Sequence, residues 1–160
     1  MTYIPQSPVA AVQPIANADT NQNHPLGTIV RAVDPTYGEG EFIYLKGLAS
    51  TAIGDVVVFD QFASTSTRGV AGSRGPAAVA MSANLAGQFG WYQVAGAAVV
   101  NAGTVAANGN VYWTATPGTV DDATVAGDKV DGARFKTADG TPSVGKAVVQ
   151  LARPSANANG

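Results

Sequence analysis

The chain has 160 residues, 12% of them charged, with a formal net charge of −2 and no cysteine. That length suits one domain, and the missing thiols exclude disulfides, thiolate metal sites and cysteine nucleophiles. The nine Lys and Arg are scattered among eleven Asp and Glu rather than gathered into a stripe, which argues against a nucleic-acid binder, whose affinity comes largely from neutralised phosphates.

Residues 1–26 read as an extended or disordered, Pro-rich arm. Pro5, Pro8, Pro14 and Pro25 block helix and central strand alike. Apolar residues Ile4, Val9, Val12 and Ile15 recur singly along it, a pattern suited to filling separate pockets on a neighbouring subunit. Fully extended, such an arm reaches roughly 80 Å. The opening "MTYIPQSPVA" has neither a basic stretch nor a long apolar core, so it is not read as a secretory leader. No apolar run reaches about 20 residues without repeated glycine, so no membrane span is expected.

The strand signals begin at Gly27. "GTIVRAV" (27–33) and "EFIYLKG" (41–47) alternate in period two around the turn-forming "DPTYGEG" (34–40), which predicts a hairpin with a long loop. "GDVVVFDQF" (54–62) is a β-branched run, "STSTRGVAGSRGP" (64–76) reads as a flexible polar loop, and "AAVAMS" (77–82) as a short strand.

The stretch "GQFGWYQVAGAAVVNAG" (87–103) carries no charge and is apolar on both of its period-two faces. Glycines at 87, 90, 96 and 103 disfavour a helix, and those at 90 and 96 suggest a bend or bulge. A strand covered on both sides belongs inside a sandwich or closed barrel, or under a second subunit. "NGNVYWTATPG" (108–118) follows an Asn-Gly turn. Residues 119–143 read as a hairpin with long loops, 144–154 as a last strand, and 155–160 as a disordered tail. About nine or ten short strands and no helix predict an all-β domain over 27–154, a single-domain β-sandwich or barrel-like, jelly-roll-type fold.

Each motif that resembles chemistry fails on a required part. "GTPSVGKA" (140–147) matches a phosphate-binding loop except that Ala147 replaces the Mg²⁺-binding hydroxyl, and a β-branched stretch follows where a helix is needed. "GEGEF" (38–42) lacks its third glycine and reads as a turn. His24 is the single histidine and lies in the arm, a poor support for a catalytic imidazole. Asp121, Asp122, Asp128 and Asp131 lack calcium-loop spacing, as do Glu39 and Glu41, and read as solvated turn acids; the alternative is a carboxylate pair of a small hydrolase in the 121–131 loop. No catalytic, cofactor-binding or metal residue is assigned, and no cofactor is expected. Trp91, Tyr92, Tyr112 and Trp113 have two readings: core packing, or a surface platform for a partner or a sugar ring.

The segments "HPLGTIVRAVDPTYGEGEFIYLKG" (24–47), "GDVVVFDQ" (54–61), "GPAAVAMSANLAGQFGWYQVAGAAV" (75–99), "GNVYWTAT" (109–116) and "VGKAVVQLARP" (144–154) resemble the capsid decoration, or cement, proteins of tailed bacteriophages. The resemblance covers nearly all of the chain after the arm. It implies a non-enzymatic structural protein of the virion, made in the host cytoplasm and bound to the outer capsid surface. Its implied partners are the major capsid protein and copies of itself, a homotrimer in preference to a homodimer. Ile4, Val9, Val12, Ile15, Trp91, Tyr92 and Trp113 are the candidate capsid or subunit contacts. The alternative reading is a carbohydrate-binding or adhesin-type β module with Trp91 or Trp113 exposed.

Overall fold

A computed structural model describes residues 3–5 and 12–157 of the chain. Among them there are eleven strands and no helix. In chain order they are β1 (Ile4–Pro5), β2 (Ile29–Asp34), β3 (Gly38–Gly47), β4 (Val56–Asp60), β5 (Thr65–Arg68) and β6 (Gly75–Ala80). Then come β7 (Phe89–Asn101), β8 (Asn110–Trp113), β9 (Val120–Asp121), β10 (Lys129–Phe135) and β11 (Lys146–Asn157). The fold is all-β and barrel-like, in a single domain, with every strand linked into one mixed sheet.

Two closed circuits of strands account for the architecture, and β7 belongs to both. In the first, β3 pairs with β5 in parallel, β5 with β4, β4 with β6, β6 with β7, and β7 returns to β3. Leu45, Val57, Phe59, Ala78, Ala80, Tyr92 and Val94 form its core. In the second, β7 pairs with β11, β11 with β10, β10 with β8, and β8 with β9. A bridge between Ala102 and Val120 closes that ring. Its larger core includes Val100, Val111, Trp113, Val130, Phe135 and Val149. Closure leaves few strand edges free to pair with other chains.

The continuous apolar runs of β4 and β6 follow from this plan. Successive strand residues point to opposite faces. Val57, Ala78 and Ala80 therefore enter the first core, while Val56, Ala77 and Val79 enter the second. These strands form a wall between two cores, so neither face has room for a polar residue. β7 is likewise covered on both sides, and its cover comes from its own chain.

A third apolar layer lies on the outer face of β2, β3 and β7. Ile15 packs there with Val30, Ala32, Phe42, Tyr44, Met81 and Trp91. Residues 12–26 thus differ from the expected extended arm. Gln13, Ile15 and His24 are buried, and this segment straps across its own domain. An aromatic layer of Phe42, Tyr44 and Trp91 on the outer sheet face needs a cover, and the strap supplies one.

Other boundaries also moved. The β2–β3 connection is a three-residue turn, not a long loop; the Asp34 carboxylate accepts the amides of Thr36 (2.7 Å) and Tyr37 (2.9 Å). Polar residues 65–68, expected as loop, form β5, because Ser66 is buried and the backbone pairs on both sides. Ser155–Asn157, expected as disordered, continue β11 against β10. Gly96 lies at the expected bend: β7 pairs with β3 up to Ala95, and with β11 from Ala95 to Asn101. Its φ is +95°, and a Cβ there would stand 2.4 Å from the Glu39 carbonyl oxygen.

Candidate functional site

The residues chosen from sequence as contacts divide between surface and core. Ile4, on β1, and Val12 are exposed. Val9 lies outside the described residues. Ile15, Trp91, Tyr92 and Trp113 are buried in the chain's own cores, so none of them offers a surface to a partner in this monomer. The physical reason is strand alternation: Trp91 points to the strapped outer face and Tyr92 into the first barrel, and both faces are already covered.

Trp91 anchors the strap. Its indole N–H donates to the Gln13 carbonyl oxygen (2.9 Å), and the Tyr44 hydroxyl donates to Gln13 Oε1 (2.7 Å). His24 sits between the Tyr44 ring (5.0 Å between centroids) and the Trp91 ring (5.1 Å). Its Nε2 has no hydrogen-bond partner, and burial lowers the imidazole pKa. An unpaired imidazole enclosed by rings is packing, not a general base. Inside the first barrel the Tyr92 hydroxyl accepts from Asn84 Nδ2 (2.9 Å), and burial raises its pKa. Trp113 packs directly over Gly69, where a Cβ would stand only 2.1 Å from the indole ring. Neither tryptophan presents a ring face to a sugar.

The acids hold turns. Asp122 accepts the Ala106 amide (2.8 Å), Asp128 the Gly72 amide (2.7 Å) and Asp121 the Ala123 amide (3.0 Å). Asp131 pairs with Lys129 (3.0 Å), and hydrogen bonds from Asn157 and Lys129 hold its carboxyl below the usual range. No group of three or more His, Asp or Glu among the described residues is placed to hold a metal ion. In "GTPSVGKA" the lysine begins β11, and its ammonium donates to the Ile53 carbonyl (3.1 Å) instead of standing free for phosphate.

What the surface does offer is an apolar recess of about 290 Å³ beside the first barrel. It opens where β11 leaves β7: Arg153 takes a left-handed φ of +49°, and the strand moves from Ala95 of β7 to Pro76 of β6. Ile29, Ile43, Phe59 and Val94 line the recess, with Gln61 and Arg153 among its polar groups. Arg153 reaches Glu41 (2.7 Å), which also meets Arg31 (3.2 Å); Arg31 lies 3.4 Å from Glu39. Partial burial works to raise the Glu41 pKa, but hydrogen bonds from the two arginines outweigh it and hold the carboxyl below its usual range. Next to Gln61, Phe62 is fully exposed. Sequence reasoning missed both features. The recess is assembled from six separate strands, and a single phenylalanine in a turn carries no periodic signal.

No protein-family model matches the chain, and no curated protein is detectably similar to it in sequence.

Proposed function

We propose that this protein is a structural component of a tailed-phage virion, binding the outer capsid surface and stabilising it by bridging major capsid subunits. The observation that carries the reading is the combination of a sheet covered by its own chain with apolar side chains left bare at its periphery. Ile4, on the edge strand β1, and Val12 are exposed, as are Phe62 and Val144 in turns. A closed double barrel is a rigid body, and bare apolar groups on a rigid body dock with little ordering cost.

Such a protein stabilises the shell by mass action, because it binds the assembled lattice and not free capsid subunits. Weak individual contacts suffice when an oligomer engages several subunits at once. The buried strap takes Gln13, Ile15 and His24 out of play for capsid contact; ahead of it, Ile4 and Val12 are the exposed apolar side chains among the described residues.

Co-sedimentation with expanded, undecorated heads of the phage encoding this chain tests the reading. The intact protein is expected to pellet with heads and raise their disruption temperature. Ile4→Ser combined with Val12→Ser, both at exposed positions, is expected to weaken binding at least about tenfold. A protein that stays in the supernatant at saturating head concentration overturns the proposal.

A further inference from the structure

Phe62 and the recess beside it are each incomplete. The ring stands wholly in water at the tip of the β4–β5 turn. That turn is fixed: the Asp60 carboxylate accepts the amides of Phe62 (2.7 Å) and Ala63 (2.9 Å). The preceding residue, Gln61, lines the recess, so knob and hollow share one end of the molecule. The ring nevertheless leaves its own recess unfilled. The hollow, about 290 Å³ and lined mainly by apolar groups, is open to solvent and large enough to take an aromatic side chain. Ile43, Phe59 and Val94, which line it, belong to the first core or pack against it, so an aromatic ring seated there continues packing already begun.

The charges beside the hollow indicate what kind of surface covers it. Arg153, Glu41, Arg31 and Glu39 form a chain of ion pairs with two cations and two anions. A partner of one dominant charge gains nothing against a neutral, alternating cluster. A surface with the same alternation meets it with opposite signs, and such a surface is present on every copy of this chain. The net charge of −2 opposes that approach only weakly.

We propose that this end of the molecule is where two copies of the chain join, with Phe62 of each copy seated in the recess of the other. The contact is reciprocal about a two-fold axis: it fills both knobs and both hollows in one dimer and sets each alternating cluster against its counterpart on the other copy. The inference gives a location to the self-association within the capsid reading, but it concerns the isolated protein and stands or falls without capsid.

The test uses sedimentation of the purified full chain over a concentration series. The wild type is expected to form a discrete dimer. Phe62→Ser, at a fully exposed position, is expected to leave the melting temperature of the dilute monomer unchanged and weaken association at least about tenfold. Because the chain has no cysteine, two single-cysteine variants report the contact directly. Oxidising a mixture of Ala63→Cys and Ile29→Cys is expected to give the mixed disulfide in excess over either self-pair. A wild type that stays monomeric to about 1 mM, or a Phe62→Ser variant that associates as the wild type does, overturns the contact. If that variant associates normally but no longer pellets with heads, Phe62 faces the capsid and this inference fails while the capsid reading stands. If Phe62-dependent association persists in a protein that ignores heads, the contact stands and the capsid reading fails.

Discussion

His24 shows how much one enclosed side chain can reveal about the segment that carries it. The imidazole lies between Tyr44 and Trp91 with Nε2 unpartnered, and its pKa is lowered by burial. The unfolded chain therefore takes up the proton first, near pH 6.5. Stability is complete above that value and declines as pH falls from it towards the lower folded-state pKa. Melting temperatures recorded between pH 8 and pH 5 are expected to fall on the acid side. His24→Phe is expected to flatten that part of the curve. The carboxyls of Asp19, Glu41 and Asp131, all with lowered pKa values, lose their contribution at more acidic pH, as pH falls through their folded-state values. At this scale the sequence was least legible. His24, Gln13 and Ile15 lie in a Pro-rich stretch without period, and only three-dimensional neighbours disclose that they are core. Gly69 was equally silent, since the indole of Trp113 that occupies its missing side-chain volume lies 44 residues away in the chain.

The elements were read more successfully where period and burial agree. Residues 87–103 were expected to be a strand covered on both faces, and β7 occupies most of that stretch. Composition could not say whether the second cover came from the same chain or from another subunit, because both present the same apolar surface. The glycine at 96 was legible as a bend for a physical reason that the structure completes: the backbone of β3 passes too close for a side chain, at a positive φ. Gly96→Ala is expected to cost about 2–4 kcal/mol from combined backbone strain and overlap. Gly103→Ala, where the nearest atom to the added carbon is Asp121 Cβ at 3.5 Å, should stay within about 0.5–1 kcal/mol. Urea denaturation at neutral pH measures both. β5 escaped notice because "TSTR" lacks apolar alternation. Its place is set by backbone pairing to β3 and β4 and by the buried Ser66.

For the whole molecule, the all-β, barrel-like class was accessible from strand count and turn chemistry, whereas the doubling into two circuits was not. Doubling depends on which strands meet, and one-dimensional periodicity does not encode that. The division into two cores does not make two folding units. β4, β6 and β7 contribute side chains to both, so neither core can open without stripping a wall from the other. Calorimetry is expected to show one transition with equal calorimetric and van't Hoff enthalpies. Two resolved transitions would mean the shared wall does not couple the halves. The recess and Phe62 also belong to this scale, since they exist only where β2, β3, β4, β6, β7 and β11 come together.

The position of β11 has a consequence for how the protein is made. In the sheet it lies between β7 and β10, yet it is the last described strand to leave the ribosome. Until residue 157 has been synthesised, the long edge of β7 and one edge of β10 wait without partners, and the larger core lacks Ala147, Val149 and Leu151. Nascent chains therefore carry half-built β surface from the completion of β7 at residue 101 until β11 follows, and unpaired edges of that kind are prone to aggregate.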